Sequence, residues 1–312
     1  MSAQTIQAIR VYQYGGSEQL RLERIERPVP QAGEVLVRVH AAGVNPVDWK
    51  IRQGYLKDFR PMQFPYIPGA DLAGVVEELA PGITAFQKGQ AVFGQSAHGT
   101  YTEYTPASID TLALKPRTLS FDEAAAVPIG ATTAWQGLFD YGGLQAGQRV
   151  LIQGAAGGVG MFAVQFARWR GSYVIGTTST PNVDFVRSLG ANEVIDYTST
   201  VLESSVRDVD LVFNAVGGKT LESSLYAVKR GGTVVSIAGI PAQEKAQELG
   251  VRVVTFSARV SSELLRTFVR LVDEGQVKVV VEKTFPLSEA RQAHELSERG
   301  HGRGRIVLHI AD

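Results

Sequence analysis

Val150-Leu151-Ile152-Gln153-Gly154-Ala155-Ala156-Gly157-Gly158-Val159-Gly160 decides how this 312-residue chain is read. A short strand-like run enters a glycine-rich turn. An amphipathic stretch with Phe162, Ala163, Phe166 and Ala167 at helical spacing follows at once. Strand, glycine turn and helix in that order form the fingerprint of a dinucleotide site. The glycines let backbone approach a pyrophosphate, and the helix N-terminus offers unpaired N–H groups and the positive end of a dipole. Gly157 and Gly160 take the second and third glycine positions, and Ala155, preceded by Gly154, takes the first. Such a turn can also be no more than a turn; the strand, the helix and the pattern downstream favour the site.

Downstream, apolar runs and helical segments alternate. Tyr173–Thr177, Glu193–Asp196, Val209–Asn214, Thr233–Ile237 and Val251–Phe256 join Val150–Gln153 as six short strands. Uniformly apolar cores such as Leu211-Val212-Phe213 suit buried parallel strands, so the pattern predicts an α/β fold with a doubly wound parallel sheet. Upstream, from Ile6 to Leu114, the sequence is short-period and β-rich: Val35, Val37 and Val39 fall on one face of a strand, and turn signals such as Pro81-Gly82 separate the runs. Ser120 with Glu123 forms a capping-box signature that opens an Ala-rich helix. After Ser261 a helical pattern leads to Gly275, and the tail ending in Arg305-Ile306-Val307-Leu308-His309 has no place in a completed six-stranded sheet. It is expected to pair back with the first domain.

The identity of the dinucleotide depends on the end of the second strand, where an NAD site places Asp or Glu against the ribose 2′-hydroxyl. The segment here, Ile175-Gly176-Thr177-Thr178-Ser179-Thr180-Pro181-Asn182, has no acid before Asp184. Hydroxyl donors at Thr177, Thr178 and Ser179 would suit a 2′-phosphate, so NADPH is the expected cofactor. The alternative reading of Thr177–Thr180 is a plain polar loop, since no Lys or Arg lies within it, though Arg187 lies nearby in sequence.

Lys plus Arg and Asp plus Glu number 31 each, so no global field recruits nucleic acid or an anionic membrane surface. No apolar run approaches a bilayer span, and the N-terminus has no signal-peptide pattern, so a cytoplasmic location is expected. Cysteine is absent, which removes thiolate nucleophiles and cysteine-ligated zinc. None of the five histidines forms an H-x-x-x-H pair, and no metal is expected.

Several segments together resemble the zinc-independent, zeta-crystallin-like quinone oxidoreductases of the medium-chain dehydrogenase/reductase superfamily. They are Ala41-Ala42-Gly43-Val44-Asn45-Pro46-Val47-Asp48-Trp49-Lys50, Pro68-Gly69-Ala70-Asp71-Leu72-Ala73-Gly74, Gly99-Thr100-Tyr101-Thr102-Glu103-Tyr104, Ala131-Thr132-Thr133-Ala134, the glycine turn, and Leu189-Gly190-Ala191 through Asp196-Tyr197. The resemblance implies a GroES-like β-rich catalytic domain from residues 1–122 and 265–312, with a Rossmann domain at 123–264, and a homodimer formed through the Rossmann domain with Val251–Phe256 as the candidate edge. In zinc-dependent relatives the ligands are Cys, His and Cys; Asn45, Ala70 and Ile129 stand at the matching positions. The resemblance places Asn45 near the nicotinamide or a substrate carbonyl, Thr133 beside the nicotinamide, and Tyr197 beside the adenosine phosphate. Asn214, Val216 and Gly217 after the fourth strand, with Ala238 and Gly239 after the fifth, would line the cofactor cleft together with Ala155, Gly157, Gly158, Val159 and Gly160. Asp48 reads as a hydrogen-bond anchor more than as a proton donor, and Tyr101 and Tyr104 read as packing residues.

The expected reaction is hydride transfer from NADPH to a quinone or an α,β-unsaturated carbonyl. Such chemistry needs an aligned electrophilic carbon and donors where enolate charge develops. Lys50 is a candidate for that charge stabilisation, and equally a solvated surface lysine. Tyr55, Phe59 and Phe64 fall in a loop where aromatics could stack on a flat substrate; core packing is their default reading. No Tyr is followed four residues later by Lys, which argues against a short-chain dehydrogenase. A 2-enoyl thioester reductase and a non-catalytic NADPH-binding protein remain as alternatives.

Overall fold

The structure, a computed structural model, describes residues 4–200, 205–300 and 302–312. The chain divides into two compact units. One comprises Met1–Pro128, Val260–Glu274 and Val279–Asp312; the other comprises Ile129–Arg259 and Gly275–Lys278.

In the first unit β1 (Thr5–Arg10) and β2 (Arg21–Glu26) form an antiparallel pair. Strand β3 (Glu34–Val44) pairs with β4 (Asp71–Leu79), and β4 continues through β5 (Ala91–Gln95) to β7 (Leu112–Leu114), while β6 (Tyr104–Ser108) pairs with β3. The alternation read at Val35, Val37 and Val39 is real: all three are buried with Leu72, Val76 and Val92. Close approach of β3 and β4 requires glycine at 74, where a Cβ would lie 2.1 Å from the Arg38 carbonyl oxygen. Helix α1 (Pro46–Arg52) follows β3 directly. Helix α2 (Phe121–Ala125) begins at Ser120, whose capping box with Glu123 forms as the sequence predicts, and it stops short of Pro128.

In the second unit α3 (Pro128–Trp135) leads toward β8 (Arg149–Gln153), α4 (Gly160–Trp169), β9 (Tyr173–Thr178), α5 (Val183–Ser188) and β10 (Glu193–Asp196). Strand β11 (Val209–Asn214), α6 (Lys219–Ala227), β12 (Val228–Ser236), α7 (Gln243–Leu249) and β13 (Arg252–Thr255) complete it. All six strands are parallel, in the order β10-β9-β8-β11-β12-β13. This is the doubly wound order, with its reversal between β8 and β11. Leu151, Ile175, Val212 and Val234 are fully buried and build one core cluster, which is why these strands read as unbroken apolar runs.

The chain then forms α8 (Ser262–Asp273), β14 (Val281–Pro286), α9 (Ala290–Arg299) and β15 (Arg305–His309). As the tail's length and pattern predict, β15 pairs antiparallel with β3 of the first unit, Ile306 opposite Val44 and Leu308 opposite Ala42. Among the described residues no helix is long and apolar enough to cross a membrane.

Candidate active site and cofactor turn

In the second unit the glycine turn joins β8 to α4 at the point where the strand order reverses, which is where open α/β sheets bind ligands. Each glycine has a distinct task. Gly154, at φ +77°, makes the tight turn that a residue with a Cβ could not make at that position without strain. Gly160 lets α4 close onto the turn, since a Cβ there would fall 2.0 Å from the Gly154 carbonyl oxygen and 2.8 Å from the Ala155 Cα. Around Gly157, by contrast, a Cβ would approach only the Gly154 oxygen, at 3.4 Å. That open cradle at a helix N-terminus fits a pyrophosphate. Gly158 and Val159 are half-buried at its rim, and buried Ala155 donates its N–H to the Thr177 carbonyl at 3.0 Å.

Thr177 and Thr178 are buried at the end of β9, Ser179 is half-buried, and exposed Tyr197 is tied to Thr178 by a backbone hydrogen bond of 3.1 Å. Asn214 is fully buried: its Oδ1 accepts from the N–H groups of Val216 (3.0 Å) and Gly217 (2.8 Å), and its Nδ2, with two protons, lies within hydrogen-bond reach of Gln153, Thr220 and Ser224. It therefore shapes the loop that presents Val216. Gly217, at φ +78°, admits the Ala238 carbonyl, which brings the loops after β11 and β12 together beside Gly239. Thr133 bonds back to the Ile129 carbonyl within its own helix at 2.7 Å.

In the first unit Asn45 opens α1, and its amide is held from two sides. Oδ1 accepts from Arg305 at 2.6 Å, and Nδ2 donates to Asp71 at 3.1 Å. Arg305 and Asp71 pair with each other at 3.1 Å, both essentially without solvent contact. Asp71 also accepts from Gln95 at 2.8 Å. Asp48, one turn into α1, accepts from the Asn45 backbone N–H at 2.8 Å and from the Tyr101 hydroxyl at 3.1 Å. Burial pushes the Asp48 carboxyl up to about 7, with Asp71 adding to the rise. His294 reaches the Tyr101 oxygen at 3.2 Å, and burial with Arg52 nearby holds its pKa down to about 3, so it is neutral. Arg52, fully buried, pairs with Glu298. Asp48 and Tyr101 thus take the anchoring and packing roles expected of them.

Lys50 is half-buried with its ammonium 5.5 Å from the Trp49 ring centre. Core packing, the default for the loop aromatics, fails for Tyr55 and Phe59, which are 67% and 91% exposed. These side chains follow the short helix α1 into a turn, where Tyr55 sets its ring edge-on to Trp49 with centroids 6.1 Å apart. Phe64 sets its ring edge-on to Tyr14 at 4.9 Å. Sequence reading missed the Asp71–Arg305 pair; a lone Arg opening the apolar run of β15 was its one signal.

Two family models match: the alcohol dehydrogenase GroES-like domain over residues 31–128 and the zinc-binding dehydrogenase model over 189–308. Quinone oxidoreductase of Mus musculus is 36% identical over 325 residues, covering 97% of each chain. The chain belongs to the quinone oxidoreductase family of medium-chain dehydrogenases/reductases. The solved quinone oxidoreductase of Coxiella burnetii superposes with a TM-score of 0.90 at 34% identity, covering 98% of this chain and 99% of that one. A mycobacterial structure solved with NADPH superposes at 0.88 with 27% identity, covering 97% and 99%. Membership makes the chain a nicotinamide-dependent oxidoreductase. The zinc in the second model's description does not fit this member. The chain has no cysteine, and among the described residues no group of three His, Asp or Glu side chains could hold a metal.

Proposed function

We propose that this quinone oxidoreductase family member reduces quinones or α,β-unsaturated carbonyl compounds with NADPH, which supplies the hydride when bound. The open cradle at Gly157, at the sheet's reversal point, is the observation that carries the reading. Gly157, Gly158 and Val159 would hold the pyrophosphate, and Thr177, Thr178, Ser179 and Tyr197 the adenosine end. Val216 and Gly239 would edge the nicotinamide end, and Thr133 would lie beside its ring. An amide nitrogen carries two protons, and one of those on Asn45 is spent on Asp71. The second is the donor we assign to a carbonyl oxygen of nicotinamide or substrate. Lys50 stabilises the negative charge that develops on the substrate oxygen as hydride reaches the electrophilic carbon. Exposed Tyr55 and Phe59 offer flat faces to a flat substrate. The assembly is a homodimer whose contact is the free edge of β13.

NADPH oxidation assayed against 1,4-quinones, enones and 2-enoyl thioesters tests the reading. Turnover of thioesters alone would move the chain to the enoyl reductases, and turnover of none with intact NADPH binding would leave a binding protein. Lys50→Ala is expected to lower kcat/KM by about 100-fold or more, the scale of losing one oxyanion donor. Unchanged kcat/KM would remove Lys50 from the mechanism.

A further inference from the structure

The segment after β9 carries no acid of its own, yet the fold brings one to it. Strand β10 runs parallel to β9 with Asp196 in register with Thr178. Thr180 Oγ1 donates to Asp196 Oδ2 at 2.6 Å. Thr198 donates to Asp196 Oδ1 through its hydroxyl at 2.6 Å and its backbone N–H at 2.9 Å. The two threonine hydroxyls lie 2.9 Å apart. Hydrogen bonds from Thr180 and Thr198 hold the Asp196 carboxyl below its ordinary range, so it is charged at neutral pH.

This cluster lies at the end of the second strand of the doubly wound sheet, where the adenosine ribose 2′ position arrives. A 2′-phosphate entering there needs donors, but the hydroxyl protons of Thr180 and Thr198 are committed to an internal anion. The open pocket of about 580 Å³ alongside is lined by three carboxylates, Asp184, Glu193 and Asp196, against one guanidinium, Arg187. Arg187 is itself paired with Asp184 at 3.1 Å. A ribose 2′-hydroxyl meets no such penalty: a carboxylate has about four acceptor sites, and the threonine bonds take three of them.

We infer that Asp196 is a specificity-determining residue, whose carboxylate weakens selection for the 2′-phosphate so that the chain accepts NADH alongside NADPH. The inference rests on the dinucleotide reading above and sets how strict its NADPH preference is. Titration calorimetry of NADPH and NADH with the full chain, its Asp196→Asn variant and a surface control, Glu244→Gln, tests it. In the parent the two Kd values are expected within about tenfold of each other. Asp196→Asn keeps the size and most acceptor bonds, and should tighten NADPH by about tenfold at low salt while NADH moves less than about threefold. Glu244→Gln should change neither ratio. A parent preference for NADPH beyond tenfold, or an Asp196→Asn ratio shifted by less than threefold, overturns the inference and leaves the dinucleotide reading standing. Failure of both nucleotides to bind the parent overturns the dinucleotide reading itself.

Discussion

Asp48 is buried, and its carboxylate accepts from the Asn45 N–H and the Tyr101 hydroxyl. Its carboxyl titrates near 3.8 when free and is pushed up to about 7 in the fold by burial. The fold therefore favours the protonated form. The stability this group contributes is complete below about pH 4 and is lost as pH rises toward 7. At 1.36 kcal/mol per unit, the full loss is of order 4 kcal/mol, of which about 2–3 kcal/mol falls between pH 5 and 8. Asp48→Asn, neutral throughout, should gain that much on the parent over this range in urea unfolding. A difference independent of pH would mean that Asp48 is already ionised at pH 5. Asp48 stands in a stretch whose family pattern is legible, but its environment is not. The buried Asp71–Arg305 pair beside it joins residues 234 apart in sequence.

The strand–turn–helix element of β8 and α4 was readable because its chemistry is largely local: Gly154 is set by its own positive φ, and Gly157 and Gly160 answer to atoms of the turn itself. Its two invaded spaces separate folding from binding. In Gly160→Ala the new methyl meets the Gly154 oxygen and the Ala155 Cα, so the turn must shift, at a cost of about 1–3 kcal/mol. In Gly157→Ala the methyl meets little protein and stands instead in the cradle. Thermal unfolding and NADPH titration are expected to show a lowered Tm for Gly160→Ala, and a parental Tm with NADPH affinity reduced at least about tenfold for Gly157→Ala. Tight NADPH binding by Gly157→Ala would place the pyrophosphate elsewhere.

For the whole molecule, the parallel sheet ends at β13, which pairs with β12 on one side only. Unpaired edge strands invite a second copy unless charge or a cover prevents it. Sedimentation equilibrium is expected to give a dimer for the parent and a monomer for Val254→Lys, since two lysines facing across a two-fold edge repel. A parent that sediments as a monomer would remove β13 as an interface.

The sequence by itself determined the doubly wound sheet, the glycine turn and the return of the tail. Periodicity, glycine placement and the count of apolar runs are properties of neighbours along the chain. Tertiary structure decided which charges meet. It gathered Asn45, Asp71 and Arg305 from three strand ends or starts into one buried group. It also laid Asp196 beside a loop that has no acid of its own. Strand register sets such meetings, and a register between distant strands leaves no local mark for sequence reading to find.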